Sequence, residues 1–197
     1  MVDLLVIIVL LLDFVVSIWN SYAAGFSLGL LRISKGPGWI RGAALLALAA
    51  GIAGETYVIA TFLALALNAY GLVGADSVAL LLAYNLVVTG GLITILGIGI
   101  TAEGVYLAIT HPAGWGVWLS LYNVFASIWN VFSYIRNFGA AVRIIRTEER
   151  EGQGQGAVIV LAAVAVVTAV LLSYIAFHFG RAHASGEYRG RVRDEDL

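Results

Sequence analysis

Two acidic side chains, Asp13 and Glu55, stand inside long apolar runs in which the one basic residue, Arg41, lies at the start of the second run, fourteen residues before Glu55. A charged side chain at the centre of a membrane helix costs at least about 2.5–3.5 kcal/mol on insertion scales. If the two runs form a hairpin about Pro37, the two acids differ in depth by only about one helical turn, roughly 5–6 Å. Their carboxyl groups can then approach each other, so that either one is protonated or the pair holds a cation.

A polar stripe accompanies Asp13 and recurs later in the chain. The tetrapeptide Ser-Ile-Trp-Asn occurs at 17–20 and again at 127–130, which indicates an internal repeat. At 100° per residue the polar side chains of each copy share one helical face: Asp13, Ser17 and Asn20 in the first copy, and Asn123, Ser127 and Asn130 in the second. Because lipid cannot satisfy amides or a carboxylate, we expect both faces to point into a helical bundle. Hydrogen bonding between helices is the alternative explanation for the Asn and Ser residues.

Composition identifies the elements that must position these residues. Of 197 residues 61% are hydrophobic and 12% are charged, against roughly a quarter charged in soluble domains. No Lys or Arg occurs from Gly42 to Ile135, a stretch longer than three bilayer crossings of about 20 residues each. The low charge and high hydrophobicity exclude a soluble enzyme and a basic nucleic-acid binder. Cys is absent, which excludes a disulfide scaffold. The sequence predicts an all-α, polytopic transmembrane helical bundle.

Five apolar runs are candidate spans, at roughly 4–31, 40–70, 77–110, 116–138 and 157–180. The third would reach about 51 Å as one helix, well beyond a hydrocarbon core of about 30 Å. It is therefore tilted, protrudes, or breaks at Gly90-Gly91 or Gly97/Gly99, which would add a sixth crossing. The repeat relates span 1 to span 4: with five spans its copies are inverted, as in many transporters, and with six they are parallel. Counting basic residues favours a cytoplasmic first loop with either number of spans.

The chain divides into four parts by composition. We expect a four-span membrane body over 1–146 and a flexible polar loop over 147–156, where mixed charges precede Gly-Gln repeats. A final transmembrane helix follows over 157–180, and 181–197 form a polar C-terminal tail. The remaining acids of the long Lys- and Arg-free stretch, Asp76 and Glu103, are placed near span ends.

Several sequence motifs have a structural explanation. The pattern Gly25-Phe-Ser27-Leu-Gly29 matches a nucleophile elbow formally, but that motif needs a strand-to-helix turn, and here its glycines favour helix packing. His178 and His183 are five residues apart, which is not the spacing of two metal ligands on one helical face. No phosphate-binding or dinucleotide motif occurs. We therefore expect no enzymatic activity, no cofactor and no bound metal.

The leading functional hypothesis is a channel or carrier for a cation or proton in the cell membrane. Asp13 and Glu55 would bind or relay the charge. Neutral ligands would come from five further residues: Asn20, Asn85, Asn123, Ser127 and Asn130.

The sequence is compatible with two alternatives. The chain is a non-catalytic subunit of a larger membrane complex, of respiratory, secretion or DNA-uptake type, or it binds a small solute between Trp19 and Trp129. The expected partners are the lipid bilayer and either further copies of the chain or a larger complex. No sequence-specific binding of nucleic acid is expected.

Overall fold

The computed structural model describes residues 4–33, 36–111, 114–151 and 155–195. Within these ranges the fold is helical and has no strand, so the all-α prediction is confirmed there. The helices are α1 (Leu4–Ile33), α2 (Trp39–Ala69), α3 (Ala75–Tyr84), α4 (Gly91–Thr110), α5 (Gly114–Glu151) and α6 (Gln155–Glu195).

A π-helical segment, Asn85–Gly90, joins α3 to α4. The residues at its borders keep helical backbone angles, with φ −56° and ψ −46° at Asn85 and φ −62° and ψ −45° at Gly91. The run from Ala75 to Thr110 is therefore one continuous helix with a local widening. A sixth crossing would need a reversal of the chain inside this run, and the backbone does not reverse there.

Four helical runs are long and apolar enough to cross a membrane: Ile7–Ile33, Trp39–Ala69, Ala75–Thr110 and Gly156–Gly186. They are compatible with a multi-pass membrane protein. Helix α5 is not among them, because its Asn and Ser residues lower the mean hydropathy of the run that the sequence predicted as a span, 116–138.

Neighbouring long helices run in opposite directions through the bundle. In each pair of helices, the residue numbers of successive contacts rise along one helix and fall along the other. The contacts are Ser17/Gly54 and Ser21/Gly51 between α1 and α2, Gly54/Ile93 and Leu46/Gly99 between α2 and α4, and Gly97/Ser127 and Gly104/Ser120 between α4 and α5. Glycines recur at these contacts because a missing Cβ lets two backbones approach closely.

Helix α6 packs parallel to α1. Three residues of α1 face partners that are each 152 positions further along the chain: Ser21 with Ser173, Gly25 with Phe177, and Gly29 with Arg181. A Cβ on Gly25 would overlap the carbonyl group of Phe177, so the two helices are in backbone contact. The chain must therefore reverse direction an even number of times between α1 and α6.

The polar segments near the C-terminus differ from expectation. Helix α5 continues to Glu151, and α6 begins at Gln155 and extends to Glu195, so 147–151, 155–156 and 181–195 are helical where a loop and a tail were expected. Residues 152–154 and 196–197 lie outside the described ranges. Adding a residue to an existing helix is far easier than starting one, and the Arg, Ala and Glu of these segments favour helix.

Candidate functional site

A cavity of about 600 Å³ lies between α1, α2, the π-helical segment with α4, and α5. It brings together five of the seven residues that the sequence predicted as ligands: Asp13, Asn20, Asn123, Ser127 and Asn130. Ser17 and three tyrosines, which the sequence analysis did not propose as ligands, also line it: Tyr57, Tyr122 and Tyr134. Among the described residues that line this cavity, Asp13 is the only one with a formal charge.

Asp13 is half-buried at the wall of the cavity. The hydroxyl group of Tyr122 donates a long hydrogen bond of 3.5 Å to its Oδ1. Ser17 donates to the backbone carbonyl of Asp13 at 2.7 Å and not to its carboxyl group. An ionised carboxylate offers about four lone-pair sites. Asp13 therefore keeps acceptor capacity that faces the cavity.

Asn20 and Asn123 join α1 to α5 across one end of the cavity. The Nδ2 of Asn123 donates a hydrogen bond of 2.7 Å to the Oδ1 of Asn20, and both side chains are buried. Asn20 ends one copy of the repeated pattern, and Asn123 occupies the position of Asp13 in the other. The contact satisfies both amides partly and holds the two polar faces against each other.

The π-helical segment contributes to the cavity wall through Leu86 and Gly90. Such segments leave backbone groups out of the regular helical ladder, and they are frequent at functional sites. Here the hydroxyl group of Tyr134 donates to the carbonyl oxygen of Val87 at 3.3 Å. The segment is thereby tied to α5 beside the cavity.

Asn85, a predicted ligand, does not line the cavity. Its Nδ2 donates to the backbone carbonyl of Tyr57 at 3.4 Å, and its Oδ1 accepts from Thr89 at 3.4 Å. These bonds connect α2 to the π-helical segment. The structure therefore places Asn85 behind the cavity wall, where it holds the wall in position.

Glu55 also lies outside the cavity. It is fully buried where α1, α2 and α6 meet. Ser173 donates a hydrogen bond of 2.9 Å to its Oε1, Ser21 lies at 3.4 Å from the same oxygen, and Ser21 and Ser173 are 2.9 Å apart. We refer to Glu55, Ser21 and Ser173 as the three-helix junction.

The expected approach of the two acids is not found. Ser21 follows Asp13 by eight residues on α1, which is about 12 Å along the helix axis. Because Glu55 contacts Ser21 and Asp13 contacts Tyr122, the two carboxyl groups occupy separate environments. Two ideal helices joined at Pro37 place Asp13 and Glu55 at similar depth. Contact between their carboxyl groups depends also on how each helix is rotated about its axis.

A further acid, Glu103, lies two turns before the C-terminal end of α4 and is buried there. Its side chain is 2% exposed between α1, α4 and α5, and Ser27 of α1 lies beside its carboxyl group. The sequence does hold a signal for this: at 100° per residue, Ser27 falls within about 40° of Asp13 and continues the polar face of α1.

The glycine pattern at 25–29 and the histidines near the C-terminus make packing contacts. Gly25 and Gly29 contact α6, in keeping with helix packing. His183 contacts Tyr22, and the ring of His178 lies against Tyr174. Among the described residues there is no group of three or more His, Cys, Asp or Glu side chains that would hold a metal ion.

The two tryptophans proposed to hold a solute are separated. Trp129 lines the cavity, whereas the indole of Trp19 contacts Gly116 and stacks on Tyr22. Comparison with known proteins finds no match to a family model, to a curated protein sequence or to a solved structure.

Proposed function

We propose that this protein is a channel or carrier for a monovalent cation, and that the cavity holds the cation at Asp13. The observation that carries the proposal is one carboxylate beside amides and hydroxyls in a lining otherwise made of aromatic and aliphatic side chains, with no basic side chain among the described lining residues. One monovalent cation neutralises one carboxylate. A divalent ion would leave a net positive charge, which is costly away from water.

We infer five crossings of the membrane, which would place the cavity inside the bilayer. Helix α5 exposes a series of large apolar side chains from Trp118 to Phe138, a length of about 30 Å that equals the hydrocarbon thickness. The parallel contact between α1 and α6 requires α5 to return the chain through the bundle. We therefore count α5 as a fifth span beside the four apolar candidates.

An inverted repeat fits the same arrangement. With five spans α1 and α5 run in opposite directions, and the Asn20–Asn123 bond pairs the end of one copy with the start of the other. A two-fold relation between the copies would pair Asp13 with Asn130 in the same way, and both line the cavity. Binding near the midplane between inverted repeats is common in transporters.

Glu55 has a different role in this proposal from the relay that the sequence suggested. Its Oε1 accepts from the hydroxyl groups of the three-helix junction, and it has no place in the cavity wall described above. We assign it to holding α1, α2 and α6 together. The cation is then bound by Asp13 with neutral oxygens around it.

Cation flux into liposomes tests the proposal. The full chain is reconstituted, and Na⁺ and K⁺ uptake is measured for wild type and for Asp13→Asn, which keeps the shape of the side chain and removes its charge. We expect uptake to fall about tenfold or more, since an interaction with a charged group is worth 1.5–3 kcal/mol. Asp76→Asn, at an exposed acid of α3, is the matched control. Unchanged uptake in Asp13→Asn would overturn the assignment.

A second candidate is the binding of a small organic cation, and the size of the cavity favours it. About 600 Å³ lies within the range of small-molecule sites, 300–1,000 Å³. Trp129, Tyr122 and Tyr134 line it, and aromatic faces attract quaternary ammonium groups. Tetramethylammonium added to the flux assay separates the two candidates. Uptake of labelled tetramethylammonium that Asp13→Asn abolishes would favour the organic cation.

A further inference from the structure

Glu103 forms a second group of buried oxygens, together with Ser27 and Ser120. All three side chains are buried. Within the described part of the chain, Oε1 of Glu103 and the hydroxyl oxygens of Ser27 and Ser120 have no hydrogen-bond partner. Buried polar atoms are nearly always paired, so three unpaired oxygens in one region point to a ligand between them.

Three helices bring these residues to one level of the bundle. Ser27 of α1 adjoins the Glu103 carboxyl group of α4 without reaching the geometry of a hydrogen bond. Ser120 of α5 packs on Gly104, the residue after Glu103, where a Cβ would lie 3.6 Å from the Cα of Ser120. We call Glu103, Ser27 and Ser120 the inner oxygen cluster.

The inner oxygen cluster continues the polar faces that form the cavity. Ser27 follows Asn20 by seven residues, two turns of α1, and Ser120 precedes Asn123 by three residues on α5. The two groups are therefore separated by about 10 Å along α1. Between them lie the Asn20–Asn123 bond and Ala24, which is fully buried.

We propose that the inner oxygen cluster is a second binding site for a monovalent cation, on the same path as the cavity and separated from it by the Asn20–Asn123 contact. Carboxylate and hydroxyl oxygens are hard ligands of the kind that alkali cations take. Arg32, the basic residue nearest along α1, is exposed and does not neutralise Glu103, whereas a cation bound between the three oxygens would. This inference rests on the proposed function, because it makes Glu103 the next site on a cation path.

Binding is measured on the full chain in detergent, without reference to transport. The probe is NaCl, with choline chloride at equal ionic strength as the reference, and the readouts are the Na⁺-dependent rise in Tm and the stoichiometry of labelled Na⁺. Wild type is expected to bind two Na⁺, and Asp13→Asn and Glu103→Gln one each. Ser27→Ala, a mild change that keeps the fold, is expected to weaken the second site about tenfold.

The outcomes separate the two proposals. If Glu103→Gln and Ser27→Ala both bind two Na⁺ as wild type does, the second site is wrong. If wild type carries no flux but Glu103→Gln still loses one bound Na⁺, the site stands and the transport proposal falls. If Glu103→Gln fails to fold, Ser27→Ala decides, since loss of Na⁺ affinity supports the site and unchanged affinity overturns it.

Discussion

Asn123 of α5 donates a 2.7 Å hydrogen bond to Asn20 of α1, inside the bundle. Both residues belong to the repeated pattern, so the two copies meet through their own polar faces. On one side of this bond lies the cavity with Asp13, and on the other lies the inner oxygen cluster. A cation that passed from one to the other would have to separate the two amides.

Removing this contact should open the path and weaken the bundle slightly. We expect Asn123→Ala to raise Na⁺ flux in liposomes and to lower the free energy of unfolding by about 0.6–2 kcal/mol, because the Asn20 amide loses its partner. Asn137→Ala is the matched control on the same helix, since Asn137 bonds only within α5 among the described residues. Reduced flux in Asn123→Ala with normal folding would contradict a closing role.

The three-helix junction should matter for stability more than for flux. Glu55→Gln keeps an acceptor for Ser173, so we expect a change in the free energy of unfolding below about 1 kcal/mol. Glu55→Ala removes the acceptor and leaves a cavity, and we expect a loss of about 2–4 kcal/mol. Both are measured by reversible unfolding in mixed micelles. Loss of flux in well-folded Glu55→Gln would contradict this structural role and indicate that Glu55 binds the cation.

The backbone contact between α1 and α6 should not tolerate a methyl group. A Cβ on Gly25 would overlap Phe177, so we expect Gly25→Ala to cost about 1–3 kcal/mol through the displacement of α6. Gly42→Ala is the control, because a Cβ there meets no atom within 4 Å, and we expect it to be neutral or stabilising by up to about 1 kcal/mol. Thermal unfolding in detergent compares the two. Equal Tm values would argue against this packing.

The proposal of five crossings makes a labelling prediction that the Cys-free chain allows directly. Single cysteines are placed at Gly38, Leu72 and Thr147 and treated with a membrane-impermeant maleimide from one side. With five spans, we expect Leu72→Cys and Thr147→Cys to react from the same side and Gly38→Cys from the other. Thr147→Cys reacting together with Gly38→Cys would mean either that α5 does not cross the membrane or that an additional crossing precedes it.

Local periodicity was sufficient to group the five predicted ligands that line the cavity. Asp13 and Asn20 share a face of α1, and Asn123, Ser127 and Asn130 share a face of α5. Because lipid cannot accept these groups, both faces had to turn inward. That the two faces line one cavity was decided by the tertiary structure.

What the sequence by itself determined is the helical class of the fold and the inward direction of each polar face, since both depend on residues a few positions apart. Only the tertiary structure decided that Glu55 faces Ser173 of α6, and that Glu103 is buried beside Ser27. The physical reason is that periodicity defines a face of a helix but not its partner. The partner depends on the rotation of each helix about its axis. That rotation is fixed by close contacts such as the one between Gly25 and Phe177, which are 152 residues apart in the chain.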